Sequence, residues 1–110
     1  MKEAQIRKLY RDPKEYEGQE ISIRGWIRTN RGSNKFGFIE LNDGSFFKSV
    51  QVVYEAEVIG NFDDIAKVPI SAALKVRGEF ILTPDAKQPF EIKAFEITVL
   101  AGSDADYPLQ

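Results

Sequence analysis

"NFDDIAKV", residues 61–68, is the stretch on which the reading of the fold turns. Asn61 can cap a helix, and Asp63 and Asp64 suit its positive N-terminal end, so a short helix is expected here. On both sides of it the apolar period is two, the mark of half-buried strands. Upstream, "EISIRGWIRTNR" (20–31) alternates Ile21 and Ile23 with polar residues, and Gly25 in its middle predicts a bulge or a bend. "KFGFIELN" (35–42) sets Ile39 and Leu41 on one side and Phe36, Phe38 and Glu40 on the other. "NDGS" follows as a turn, with Asp43-Gly44 as a hairpin signal. "SVQVVYE" (49–55) turns Val50, Val52 and Tyr54 inward and Gln51 outward. Downstream, "AALKVRGEFIL" (72–82) alternates Leu74, Val76 and Phe80 with Lys75, Arg77 and Glu79. After the loop "TPDAKQP" (83–89), "FEIKAFEITVL" (90–100) is the fifth strand, and the parity slip between Ala94 and Phe95 predicts a bulge.

Five strands with one short helix between the third and the fourth is the order of an OB-fold, a small barrel whose ligand face lies on strands 2 and 3 and the neighbouring loops. A split two-layer α+β sheet is the competitor, and the single short central helix disfavours it. At the N-terminus, "RDPKEYEG" (11–18) reads as a further helix: Asp12 as N-cap, Pro13 at the first position, Glu15 completing a capping box and Gly18 as the stop. The expected fold class is therefore all-β with short helices, a five-stranded barrel. Residues 1–18 are a helical extension, 19–101 the barrel, and 102–110 a linker without periodicity.

At 110 residues the chain fits one domain, large enough for an unaided core. Cysteine and histidine are absent. That excludes disulfides, thiolate or imidazole metal sites, and Ser/His/Asp or Cys/His catalysis. No apolar run approaches the ~20 residues of a membrane span, and "MKEAQIRKLYRDP" is too polar for a secretory signal. A soluble cytoplasmic protein is expected. The net charge of −2 hides an asymmetry. Residues 1–35 hold nine Lys/Arg against five Asp/Glu, a balance of +4, whereas residues 36–110 hold six against twelve, a balance of −6. "RGWIRTNRGSNK" (24–35) carries Arg24, Arg28, Arg31 and Lys35 and no acid, which suits either an anion site or a solvated strand end.

On the expected barrel, Phe36 and Phe38 face outward beside this basic loop, the pattern of a base-stacking platform with a phosphate-attracting rim. The plainer alternative is that one or both rings pack under a loop or the N-terminal helix. Gln51 points to the same face. Its amide can accept from the N–H of uracil and donate to a neighbouring carbonyl, or, turned over, suit cytosine. A further donor, Arg31 or Arg28, would favour uracil. Glu91, beside the loop 83–89, only accepts, and guanine offers adjacent N–H and NH₂ donors. A solvated glutamine and a surface glutamate are the plain readings of these two residues.

With these residues in place, the chain resembles the N-terminal anticodon-binding domain of asparaginyl-tRNA synthetases, class II enzymes of the aspartyl/asparaginyl/lysyl group. The resemblance runs through "EGQEISIRGWIRTNR", "FGFIELNDGS", "SVQVVYE", "AKQPFEI" and "DYPLQ", from about residue 16 onward. "LNDGS" and "KQPFE" are particular to asparaginyl members. Aspartyl relatives often carry arginines where this chain has Ile81, Leu82, Thr83 and Pro84. The resemblance implies that Phe38 stacks on the central uridine of the anticodon, that Gln51 and Arg31 hydrogen-bond it, and that Glu91 reads the first-position guanine. The third base would separate asparagine from aspartate tRNAs; the loop 83–89, with Lys87 or Gln88, is expected near it, although no residue there matches a motif for reading that base. The catalytic domain of the family, with its ATP, its magnesium and its class II motifs, is missing from this chain, so no cofactor and no aminoacylation are expected of it. The implied partners are an asparagine tRNA, the absent catalytic domain and a second subunit of a dimeric parent. A sequence-tolerant single-strand binder and a protein-interaction domain are the alternatives. The acidic overall balance argues against the first of these, which needs many phosphate contacts.

Overall fold

The computed structural model describes residues 2–101, so the linker expected at 102–110 lies outside the described residues. In chain order the elements are β1 (Lys2–Glu3), α1 (Ile6–Arg11), α2 (Pro13–Tyr16), β2 (Glu20–Gly32), β3 (Phe36–Asn42), β4 (Val50–Glu55), α3 (Phe62–Ala66), β5 (Ala73–Leu82) and β6 (Phe90–Ala101). The five long strands are the five expected from the alternation. Their order is β2-β3-β4-β6-β5, and β2 also pairs with β5, which closes the sheet into a barrel. The short β1 adds to β2 in parallel, with Lys2 opposite Ile21. No helix among the described residues is long and apolar enough to cross a membrane.

Closure depends on β2 serving two neighbours. Glu20 to Trp26 pair with β5, and Trp26 to Gly32 pair with β3. Gly25 sits just before the change of partner, where a Cβ would lie 2.5 Å from the carbonyl oxygen of Asn42. This is a bend that only glycine fits. The bulge comes later, at Ile27/Thr29, and leaves Arg28 as the extra residue. In β6 the register breaks opposite Arg77/Gly78, which pair with Glu96 and Ala94, so Phe95 is extra, at the slip read from the alternation. Inward residues of all five strands are buried, among them Ile21, Ile23, Ile39, Leu41, Val52, Tyr54, Leu74, Val76, Phe80 and Ile92.

The helices close the two mouths of the barrel. At the mouth where β4 ends, α3 buries Phe62 and Ile65, and the Phe62 ring lies 5.3 Å from Tyr54. Asn61 does not cap α3 as expected; its Nδ2 donates to the carbonyl of Ile97 at 3.0 Å and ties the helix to β6. At the mouth where β4 and β6 begin, α1 buries Ile6 and Leu9. The helix expected at 11–18 is present as α2, and α1 precedes it as a second short helix that the alternation did not signal. The Asp12 N–H donates to Lys8 O and ends α1, and Pro13, with no N–H to give, opens α2. The Asp12 carboxylate accepts from Arg11 Nε at 2.9 Å and makes no cap, so the expected capping box does not form. Gly18 takes the left-handed conformation (φ +73°) that suits a stop.

The cap of α1 comes from a distant loop. Asp43 Oδ2 accepts from the Ile6 N–H and Ser45 Oγ from the Arg7 N–H, both at 3.0 Å. The Tyr10 hydroxyl donates to Ser49 O at 2.7 Å. "NDGS" thus does more than turn the chain. Gly44 takes φ +80° as a turn requires, but the whole stretch 43–49 is a connecting loop that holds the N-terminal helix on the barrel. Asp43→Ala is expected to cost about 0.5–2 kcal/mol, the usual value of a lost helix cap. Urea unfolding would measure it, and hydrogen exchange at Ile6 and Arg7 should speed up most.

Candidate nucleic-acid interface

Cross-strand pairing sets two parallel rows of side chains on the outer face of the barrel. In the first row Thr29 is opposite Glu40, Glu40 opposite Gln51, Gln51 opposite Glu91, and Glu91 opposite Ile81. In the second, Arg31 is opposite Phe38, Phe38 opposite Val53, Val53 opposite Lys93, and Lys93 opposite Glu79. Directly paired residues in a sheet share a face, with Cβ atoms about 4.5–5.5 Å apart, and diagonal neighbours lie within about 7–8 Å. Gln51 is therefore a diagonal neighbour of Phe38, with Arg31 across the ring on the other side.

The aromatic pair faces solvent. Phe36 is 45% and Phe38 40% exposed. Phe36 lies two residues before Phe38 on the same face, opposite Glu55. Between them, Gly37 points inward and lies against the Tyr54 ring, where no Cβ could fit. The Tyr54 hydroxyl donates to Asn30 Oδ1 at 2.8 Å, and Asn30 Nδ2 donates to Ile65 O and Val68 O. The rings thus stand on a strand fixed from below through Gly37, Tyr54 and Asn30 to α3. Burial pushes the Tyr54 phenol above its ordinary range.

Arg31, Phe38, Gln51 and Glu91 are brought together on these rows. Arg28 is exposed but is the bulged residue, outside the paired rows. Lys87 and Gln88 lie in the loop that joins β5 to β6, next to the Glu91 end of the first row. That loop is pinned by Thr83, whose N–H donates to Pro89 O at 2.9 Å and whose Oγ1 donates to Gln88 O at 2.7 Å. Lys87 stays exposed. Two charged groups on the face were given no role in the sequence reading. Glu40 sits between Thr29 and Gln51, and its Oε1 accepts from Thr29 Oγ1 at 3.0 Å. Lys93 forms an ion pair with Glu55 at 3.4 Å. The strand period could have found both, since Glu40 follows Phe38 by two and Lys93 follows Glu91 by two. The negative charge of Glu40 reaches Tyr10, whose phenol is raised first by burial and then by that charge.

The chemistry of the two rows differs. The first offers acceptors (two carboxylates, an amide oxygen, a hydroxyl) and would repel a phosphate while suiting N–H-bearing edges of bases. The second offers a flat ring flanked by a guanidinium, with the Lys93 ammonium two strands away and the Glu79 carboxylate beyond it. A nucleic-acid strand with its bases on the face and its phosphates toward Arg31 would meet both demands.

A family model described as an OB-fold nucleic acid binding domain matches residues 21–100. This chain belongs to that family. Over all 110 of its residues it is 56% identical to an asparagine–tRNA ligase of Bacillus cereus and 57% identical to one of Alkaliphilus oremlandii. The chain spans about a quarter of the length of these curated relatives, 24% in both cases. A crystal structure of asparaginyl-tRNA synthetase from Pyrococcus horikoshii superposes with a TM-score of 0.72 at 21% identity, covering 87% of this chain and 23% of that one, a likeness of fold. The resemblance read from the motifs is thereby borne out, and so is the OB barrel. The chain is thus an OB-fold nucleic acid binding domain, similar over its whole length to one stretch of asparagine–tRNA ligases.

Gly37→Ala would force a methyl group into the Tyr54 ring, so the fold should lose about 1–3 kcal/mol, the range for overpacking a well-filled core. Thermal or urea unfolding would measure the loss.

Proposed function

We propose that this domain reads the GUU anticodon of an asparagine tRNA. Phe38 stacks on the central uridine. The Gln51 amide accepts from its N–H and donates to one carbonyl, and Arg31 donates to the other. Glu91 accepts from the N–H and NH₂ of the first-position guanine. Lys87 and Gln88 flank the third base, and Phe36 and Arg28 border the platform. The single observation behind the reading is the direct pairing of Gln51 with Glu91 one row from the exposed Phe38. Two adjacent bases splayed over one sheet would find an amide and a carboxylate at the neighbouring positions they require. The kinship with asparagine–tRNA ligases supports the same assignment.

On this reading the domain positions the tRNA for a catalytic domain of the parent enzyme, which carries out the aminoacylation with ATP and magnesium as a cytoplasmic homodimer. The domain alone selects RNA and does no chemistry.

The test is a titration of the 110-residue chain with anticodon stem-loops carrying GUU or GUC and with an unrelated oligonucleotide, at one salt concentration. GUU should bind most tightly. Phe38→Ala should weaken it by about 1–3 kcal/mol, the value of one stacked base. Gln51→Ala should reduce the preference for uridine at the central position; Gln51→Glu is the poorer probe, since it sets three carboxylates side by side with Glu40 and Glu91. Equal affinity for all three RNAs would point to sequence-tolerant binding, and no binding to any of them to a protein partner.

A further inference from the structure

Outside the paired rows, the most exposed large apolar side chain among the described residues is Phe47, at 79%. It lies in the loop 43–49, and it is not a loose side chain. A chain of ring contacts leads to it from the core: Phe80 to Phe90 at 4.8 Å, Phe90 to Tyr10 at 4.7 Å, Tyr10 to Phe46 at 4.9 Å, and Phe46 to Phe47 at 4.6 Å. The ammonium of Lys48 stands 5.7 Å from the Phe47 ring centre and 5.9 Å from that of Tyr10. A buttressed bare ring with a cation beside it matches the design of a single-strand stacking site.

Its position and charge point to the kind of partner. The loop leaves β3 two residues after Glu40 and enters β4 one residue before Gln51, so it borders the first row. It also holds α1, whose Arg7 and Lys8 are exposed. The one acid in the loop, Asp43, is engaged by the Ile6 N–H and by Ser45. This corner is basic, in a chain of net charge −2.

We propose that Phe47 and Lys48, with Arg7 and Lys8, form a second RNA contact that grips the strand just outside the anticodon: Phe47 stacks on one flanking base and the three cations neutralise the adjoining phosphates. The proposal rests on the anticodon reading and extends it to nucleotides whose identity is not read. RNA is favoured over a protein partner by the cations around the ring and by the continuity of this corner with the Gln51 row.

The test uses the same GUU stem-loop and one carrying GAU, each over a range of salt. Phe47→Ala should weaken both by about 5- to 150-fold, the loss of one stacked base, and leave the ratio of GUU to GAU affinity unchanged. Lys48→Ala should reduce the slope of log affinity against log salt by about 0.7–0.9. Phe47→Trp should keep affinity within about twofold, since any aromatic face can stack, and its indole fluorescence should be quenched by RNA. If the unaltered chain prefers GUU and yet Phe47→Ala and Lys48→Ala change neither affinity nor slope, this proposal is overturned and the anticodon reading stands. If Phe47→Ala changes the GUU to GAU ratio, the ring reads the anticodon itself and the proposal is wrong in its main claim. If the unaltered chain does not distinguish GUU from GAU, both readings fall together.

Discussion

The structure depends on one strand pairing with two neighbours. β2 gives its first half to β5 and its second half to β3, and the change of partner is possible because Gly25 lets the Asn42 carbonyl approach to a distance no side chain would allow. Without that bend the sheet would stay open, and the inward residues of β5 would have nothing to face. A closed sheet also leaves few unpaired edges and fixes register at every seam. Register, in turn, is what aligns Thr29, Glu40, Gln51 and Glu91 from four different strands.

The face that results is polarised rather than uniformly basic. Two of its carboxylates, Glu40 and Glu91, are in line with Gln51, whereas Arg31 lies beside Phe38. Such an arrangement gives little to a general polyanion. It suits a ligand that brings hydrogen-bond donors to one row and negative charge to the edge of the other, as splayed bases on a phosphodiester strand do. The sheet beneath is stiff: Gly37 rests on Tyr54, and Tyr54 is bonded through Asn30 to the helix at that mouth. A platform that does not move loses little ordering entropy when a base settles on it.

The barrel strands were legible because the period-two signal is strong where one face is buried, and the slip at Phe95 could be read for the same reason. The exposure of Phe36 and Phe38 followed from parity with Ile39 and Leu41. What could not be read was set by contacts between residues far apart in sequence. Asp12 and Asn61 look like caps, yet Asp12 pairs with Arg11 and Asn61 bonds to Ile97. The actual cap of α1 comes from Asp43, 37 residues away, and nothing local announces it. α1 itself was missed because only Ile6 and Leu9 mark its apolar side, too few for a periodic signal in a polar stretch. The pairing of Gln51 with Glu91 joins strands separated by a helix and a further strand, so their adjacency belongs to the barrel and not to the letters.

The docking of α1 by the loop 43–49 changes what the first residues of the chain are for. They act as a stopper. Ile6 and Leu9 are wholly buried, each contributing about 1.5–3 kcal/mol by leaving water, and Tyr10 lies on Phe90. A shortened version starting at the first long strand would keep every barrel strand and still be uncorked, with Phe90 wetted, Asp43 Oδ2 without the Ile6 N–H, and the loop beneath Gln51 free of the helix it holds. The opening segment is thus part of the foundations of the outer face, although it contributes no residue to the two rows.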